Sequence, residues 1–121
     1  MMPDRLAEVE FSEVRSDAIV AAVSGDIDGS NAAELRRAIA ERVPSTARSL
    51  IIDLTSTTYI DSTGVELLFE LARRLSARRQ NFTVVVPKDS GIRKVLELCD
   101  IGSVAVLVES QGDGLEAADA V

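Results

Sequence analysis

Four consecutive residues, Asp61-Ser62-Thr63-Gly64, concentrate the chemistry of this chain. An apolar strand, Leu50-Ile51-Ile52-Asp53-Leu54, precedes them. A helix with apolar residues at Val65, Leu68, Leu71, Ala72 and Leu75 follows. A serine at a helix start holds its hydroxyl beside backbone N–H groups that have no helical partner. The free N–H groups and the helix dipole both favour negative charge there, so a phosphoryl group is well tolerated. The same residues also suit plain helix capping: Thr63 and Glu66 have capping-box spacing, and Asp61 could equally serve as the cap. Gly64 exceeds what capping needs. In the first turn it adds nothing to helix stability, and its missing Cβ lets another backbone or a large ligand approach closely.

Other reactive residues are few. The absence of histidine removes the commonest general base and most zinc-site patterns. Asp26, Asp28, Asp53 and Lys88 supply the acids and lysine of a metal-assisted phosphoaspartate receiver. A receiver, however, needs regular strand–helix alternation with an acidic pair after its first strand. Here a hairpin comes first, and too few helices follow residue 80. Asp53 is better read as a strand-end residue bonded to the loop after it. Cys99 falls on an apolar stripe with Ile92, Val95 and Leu96 and reads as a buried small hydrophobe. With no nucleophile–base pair and no metal cluster, the expectation is a protein that is not an enzyme and needs no cofactor or metal.

Composition narrows the class of partner. The 121 residues suit one domain, 1–121, and with 46% hydrophobic but 3% aromatic residues its core must be aliphatic. A formal net charge of −7 argues against nucleic acid, whose phosphates need clustered positive charge. No apolar run approaches the ~20 residues of a membrane helix, so direct membrane insertion is not expected. One cysteine and no signal-like N-terminus fit a reducing, cytoplasmic setting. On that reading the glycosylation-like Asn81-Phe82-Thr83 is chance.

The elements follow from periodicity. Residues 6–14 alternate as a strand with one wet face, with Ala7, Val9 and Phe11 set against Glu8, Glu10 and Ser12. A polar break at 15–17 and an apolar run from Ala18 to Val23 complete an antiparallel hairpin. Gly25-Asp26-Ile27-Asp28-Gly29 then turns the chain. Ser30 or Asn31 caps a helix to about Val43, with Leu35, Ile39 and Val43 inward and Asn31–Glu34 at capping-box spacing. Strand 50–54, a loop through Thr58 and a helix over 62–79 come next. Arginines 73, 74, 78 and 79 form a solvated face near the helix C-terminus. Phe82–Val86 is a buried strand, Ser90 or Asp89 caps a helix to about Cys99, and Val104–Val108 is a last strand. The tail, 109–121, is acidic and glycine-interrupted, with Leu115, Ala118 and Val121 able to share one short helical face. This pattern gives an α/β layer fold. Strands 50–54 and 82–86 lack polar alternation and should be central and parallel.

The segment Asp61-Ser62-Thr63-Gly64-Val65 after Ile51-Ile52-Asp53-Leu54 resembles the signature of the anti-sigma factor antagonists, the STAS domain family. Val23-Ser24-Gly25-Asp26-Ile27-Asp28 before Ala33-Glu34-Leu35 is similar to that family's turn into its first helix, and Leu115-Glu116-Ala117-Ala118 to its closing helix. The resemblance implies a mixed β-sheet of about five strands, an opening antiparallel hairpin and central parallel strands. Three to four α-helices would pack mainly on one face. It also implies a phosphoacceptor at Ser62, with Asp28, Ser30, Asn31, Asp61, Thr63, Gly64 and Glu66 around it at the partner-binding edge. The implied partners are an anti-sigma factor serine kinase, which binds and phosphorylates the antagonist, and a serine phosphatase that resets it. The chain departs from the family where Thr63 stands for a second serine and Glu66 for a small residue. The alternative role within the family is an accessory subunit of a transporter, or a signalling scaffold without a phospho-switch.

Overall fold

The computed structural model describes residues 7–15 and 17–119. Its element order is β1 (Ala7–Arg15), β2 (Ala18–Ile27), α1 (Ala32–Arg42), β3 (Ser49–Asp53), β4 (Thr57–Ile60) and α2 (Ser62–Ala77). Then come β5 (Asn81–Val85), α3 (Gly91–Leu98), a 3-10 turn (Ile101–Ser103), β6 (Val106–Val108) and α4 (Gln111–Asp119). The sheet runs β1-β2-β3-β5-β6, with β4 paired to β2 alone. The opening hairpin is antiparallel and all other pairs are parallel.

This is the mixed α/β sheet the sequence implies, with six strands instead of about five. The added strand is β4, which sequence reading leaves as loop. It forms because β2 does not stop at Val23 but continues to Ile27, through Gly25 at φ 93°. Residues Ala18–Ala22 of β2 pair with β3, and Gly25–Ile27 pair with β4. Glycine tolerates that left-handed backbone conformation, so the strand passes through a residue that reads as a turn. Buried Thr57 secures β4 by donating its hydroxyl to the Val23 carbonyl at 2.8 Å. The last strand is shorter than 104–108, because Ile101 is drawn into the core by the 3-10 turn.

Alternation along the strands divides the apolar residues between two faces. Ile19, Ala21, Val23, Leu50, Ile52, Phe82 and Val84 face α1, α2 and α3 in the main core, with Leu35, Ile39, Leu68, Leu71 and Leu96. Val20, Ile51 and Val85 face the other way and meet α4 through Leu115 and Ala118. Three helices therefore cover one face and a single short helix part of the other. Leu115 and Ala118 do share a helical face, while Val121 of that expected face lies outside the described residues, as does Ser16 of the hairpin break. Gln80 ties the far ends of α1 and β3 by donating to the Pro44 and Ala47 carbonyls (2.9 and 2.8 Å).

Candidate functional site

The parallel arrangement brings the C-terminal ends of β2 and β4 side by side, and α1 and α2 start there. The join is direct: the Asp61 N–H donates to the Ile27 carbonyl at 3.2 Å. Parallel strands followed by helices place loop residues at this sheet end, the usual location of function in such folds. The two segments singled out in the sequence, 25–31 and 61–64, are thus neighbours.

Asp61 is the cap of α2. Its Oδ1 accepts from the Thr63 N–H (2.9 Å), the Gly64 N–H (3.2 Å) and the Thr63 hydroxyl (2.7 Å). Thr63 therefore does not cap through a box with Glu66; its hydroxyl is a donor to the residue that does. The Asp61 carboxyl is held below its ordinary pKa by the Thr63 hydroxyl first, and also by the Gly64, Thr63 and Gly29 N–H groups, against an opposite pull from partial burial. The Gly29 N–H brings the turn before α1 to bear on the charge of this cap.

That turn is built differently from the capping box expected at Asn31 and Glu34. Asn31 occupies the N-cap position but makes no cap bond to α1. It is buried and reaches backward instead. Its Nδ2 donates to the Asp26 carbonyl (2.8 Å), and its Oδ1 accepts from the Asp28 N–H (3.1 Å). Asp28 Oδ1 accepts from the N–H and hydroxyl of Ser30 (2.9 and 2.6 Å), so Ser30 is not the cap either. Both turns are self-bonded, and each presents a rigid polar surface.

Ser62 is the exception among these hydroxyls. It is exposed, and its hydroxyl has no hydrogen-bond partner among the described residues. Gly64 is buried under it for a reason other than ligand approach. A Cβ on Gly64 would lie 2.5 Å from Ile60 Cγ1 and 3.0 Å from Ile27 Cγ2. The missing side chain lets α2 settle onto the ends of β2 and β4. Glu66 is exposed and lines an open groove of about 230 Å³ between α1 and α2, with Thr63, Arg36 and Glu70. Arg36 and Glu70 pair across it at 3.4 Å.

Two residues here carried no sequence signal. Arg36 supplies the groove's cation, and Thr58 donates to Asp26 Oδ1 at 2.7 Å. Thr58 could not be placed without β4, and Arg36 reads as one more solvated arginine.

Elsewhere Cys99 is exposed, not buried. Helix α3 ends at Leu98, so its buried face holds Ile92 and Leu96, while Val95 and Leu98 are exposed and Cys99 stands at the C-cap, past the last helical residue. The receiver-like residues do not converge. Asp53 bonds the loop through Thr55, as expected for a strand-end residue, and Asp26 is taken by Thr58. Lys88 lies in a different groove, with Asp89 and Glu97. Among the described residues no group of three or more metal-ligating side chains is placed to hold an ion, and no helix is long and apolar enough to cross a membrane.

Comparison with known proteins agrees with this architecture. An anti-sigma factor antagonist from Mycobacterium paratuberculosis is 25% identical, with a TM-score of 0.82 over 93% of this chain and 94% of that one. The anti-sigma factor antagonist SpoIIAA in its unphosphorylated form is 18% identical, with a TM-score of 0.73 over 94% and 98% of the two chains. The Bacillus cell fate determinant SpoIIAA in its phosphorylated form gives 18% and 0.66 over 91% and 98%. The model of the STAS domain matches residues 12–110, from the opening hairpin to the residue before α4, and the chain belongs to the STAS domain family.

Proposed function

We propose that this chain is an anti-sigma factor antagonist controlled by phosphorylation of Ser62. Unphosphorylated, it binds an anti-sigma factor that is itself a serine kinase, and so frees the sigma factor. The kinase transfers the γ-phosphoryl group of ATP to the Ser62 hydroxyl, the complex dissociates, and a serine phosphatase resets the cycle. The role is that of a cytoplasmic binding protein, not an enzyme. The observation that carries this reading is the state of the three hydroxyls in the two turns, 25–31 and 61–64. Thr63 and Ser30 are bound to Asp61 and Asp28, while Ser62 alone is exposed and unbonded. Similarity to an antagonist at 25% identity supports the same role.

The electrostatics suit a switch of binding more than of folding. A phosphoryl group adds about −1.5 to −2 charges and three strong acceptors. Within the domain, the first turn of α2 stabilises such a charge by roughly 0.3–1 kcal/mol. In a packed interface the same charge would have to be desolvated beside Asp28, Asp61 and Glu66, which costs far more. The reading is tested by incubating the chain with candidate anti-sigma factor kinases and ATP, then locating phosphate by mass spectrometry of residues 50–73. Phosphate on Ser62, lost in Ser62→Ala, together with kinase binding that is kept by Ser62→Ala and weakened at least ~30-fold by Ser62→Asp, is the expected result. Equal binding of the two variants, or phosphate on Thr63 instead, would defeat it. Capture of a transporter subunit with no phosphorylation would favour the accessory role.

A further inference from the structure

Helix α4 packs on the sheet apart from the other three helices. It has nine residues, two of them glycine, and is too short to be stable alone. Only Leu115 and Ala118 bring apolar side chains to the sheet, and the cluster they join is separate from the main core. Yet what they cover is strongly apolar: Val20, Ile51 and Val85, at 1%, 0% and 0% exposure, lie on three adjacent strands. Gly114 fits closely over this strip, since a Cβ there would lie 3.3 Å from both Ile51 Cγ2 and Val85 Cγ2.

One polar contact fixes the start of the helix to the sheet. Gln111 Nε2 donates to Asp53 Oδ2 at 2.7 Å. Asp53 is buried and its other oxygen is occupied by the N–H and hydroxyl of Thr55 at 2.9 and 2.5 Å, so the carboxylate is rigidly aimed at Gln111. Asp53 ends β3, on the side of the sheet where the parallel strands present Ser62.

We propose that α4 is a hinged cover over the Val20–Ile51–Val85 strip, and that the Asp53–Gln111 hydrogen bond is its catch. Opening releases α4 as a unit, leaves the main core intact and uncovers an apolar strip that the closed molecule hides. This device is independent of the function proposed for Ser62.

Amide hydrogen exchange of the full chain tests it. In the unsubstituted protein, the amides of Leu115–Ala118 should exchange together and at least ~100-fold faster than those of Ile51 and Ile52, which open only with the core. Gln111→Glu sets a carboxylate against the Asp53 carboxylate and should speed α4 exchange by a further ~10-fold or more at neutral pH. Asp53→Asn added to Gln111→Glu restores a donor–acceptor pair with the roles reversed, and should return α4 exchange towards the original rate. Exchange of α4 at the core rate would overturn the proposal. So would a rate unchanged by Gln111→Glu, which would reduce α4 to a fraying end, or a double variant no slower than the single one.

Discussion

Gly64 is under two opposed demands. A helix interior prefers alanine by about 1 kcal/mol, yet any Cβ at this position meets Ile60 Cγ1 at 2.5 Å. Overpacking of this kind costs about 1–3 kcal/mol, so Gly64→Ala should lower the urea midpoint despite its better helix propensity; an unchanged or raised midpoint would show that α2 shifts freely. Asp61 makes a second residue-scale prediction, through its lowered pKa. A depressed carboxyl stabilises the fold in full above its unfolded value, ~3.9, and the gain is lost as pH falls through the folded value. The advantage of the natural chain over Asp61→Asn, which can still cap, should therefore be present at pH 7 and shrink steadily below pH ~4. Urea titrations of both proteins across that range check it. The sequence already marked Ser62, Asp61 and Gly64 as a group. What it could not assign was which oxygen caps, because Asp61 and Thr63 are both competent by spacing and only the fold decides.

Among the elements, β4 has the thinnest support, with four residues and one neighbouring strand. Its buried polar bond, Thr57 to the Val23 carbonyl, should matter accordingly. Thr57→Val keeps the shape but leaves that carbonyl without its partner, which should cost about 1–3 kcal/mol. Faster amide exchange at Tyr59 and Ile60 than in β3 would show that the loss is local. At the start of α1, Asn31→Ala removes two buried bonds at once and should destabilise by a similar amount, read as a fall in thermal midpoint. Long periodic elements such as α2 and the apolar strands β3 and β5 were legible to within a residue or two. β4 was not, since Thr57-Thr58-Tyr59-Ile60 shows no alternation strong enough to stand out from a loop. The break at Gly25 also hid the strand it pairs with. Local pattern is a weak guide where a strand exists mainly because a partner is waiting for it.

At the scale of the molecule, stability rests on one aliphatic cluster shared by the sheet and three helices. Leu68 is fully buried in it. Leu68→Ala should cost about 2–5 kcal/mol, measured as a loss of unfolding free energy, while truncating the half-buried Leu115 of the second cluster should cost clearly less. The hairpin-first order and the two apolar strands were enough to read the layered fold, whereas the unequal covering of its two faces depends on how α4 lands. Tyr59 is half-exposed in β4, three residues before Ser62, and the chain has one tyrosine and no tryptophan. Ultraviolet emission excited at the tyrosine band therefore comes from a single fluorophore beside the Ser62 corner. The native chain is its own optical sensor: a tryptophan-free partner that settles on this corner can be titrated by the change in that one signal, with no dye and no substitution.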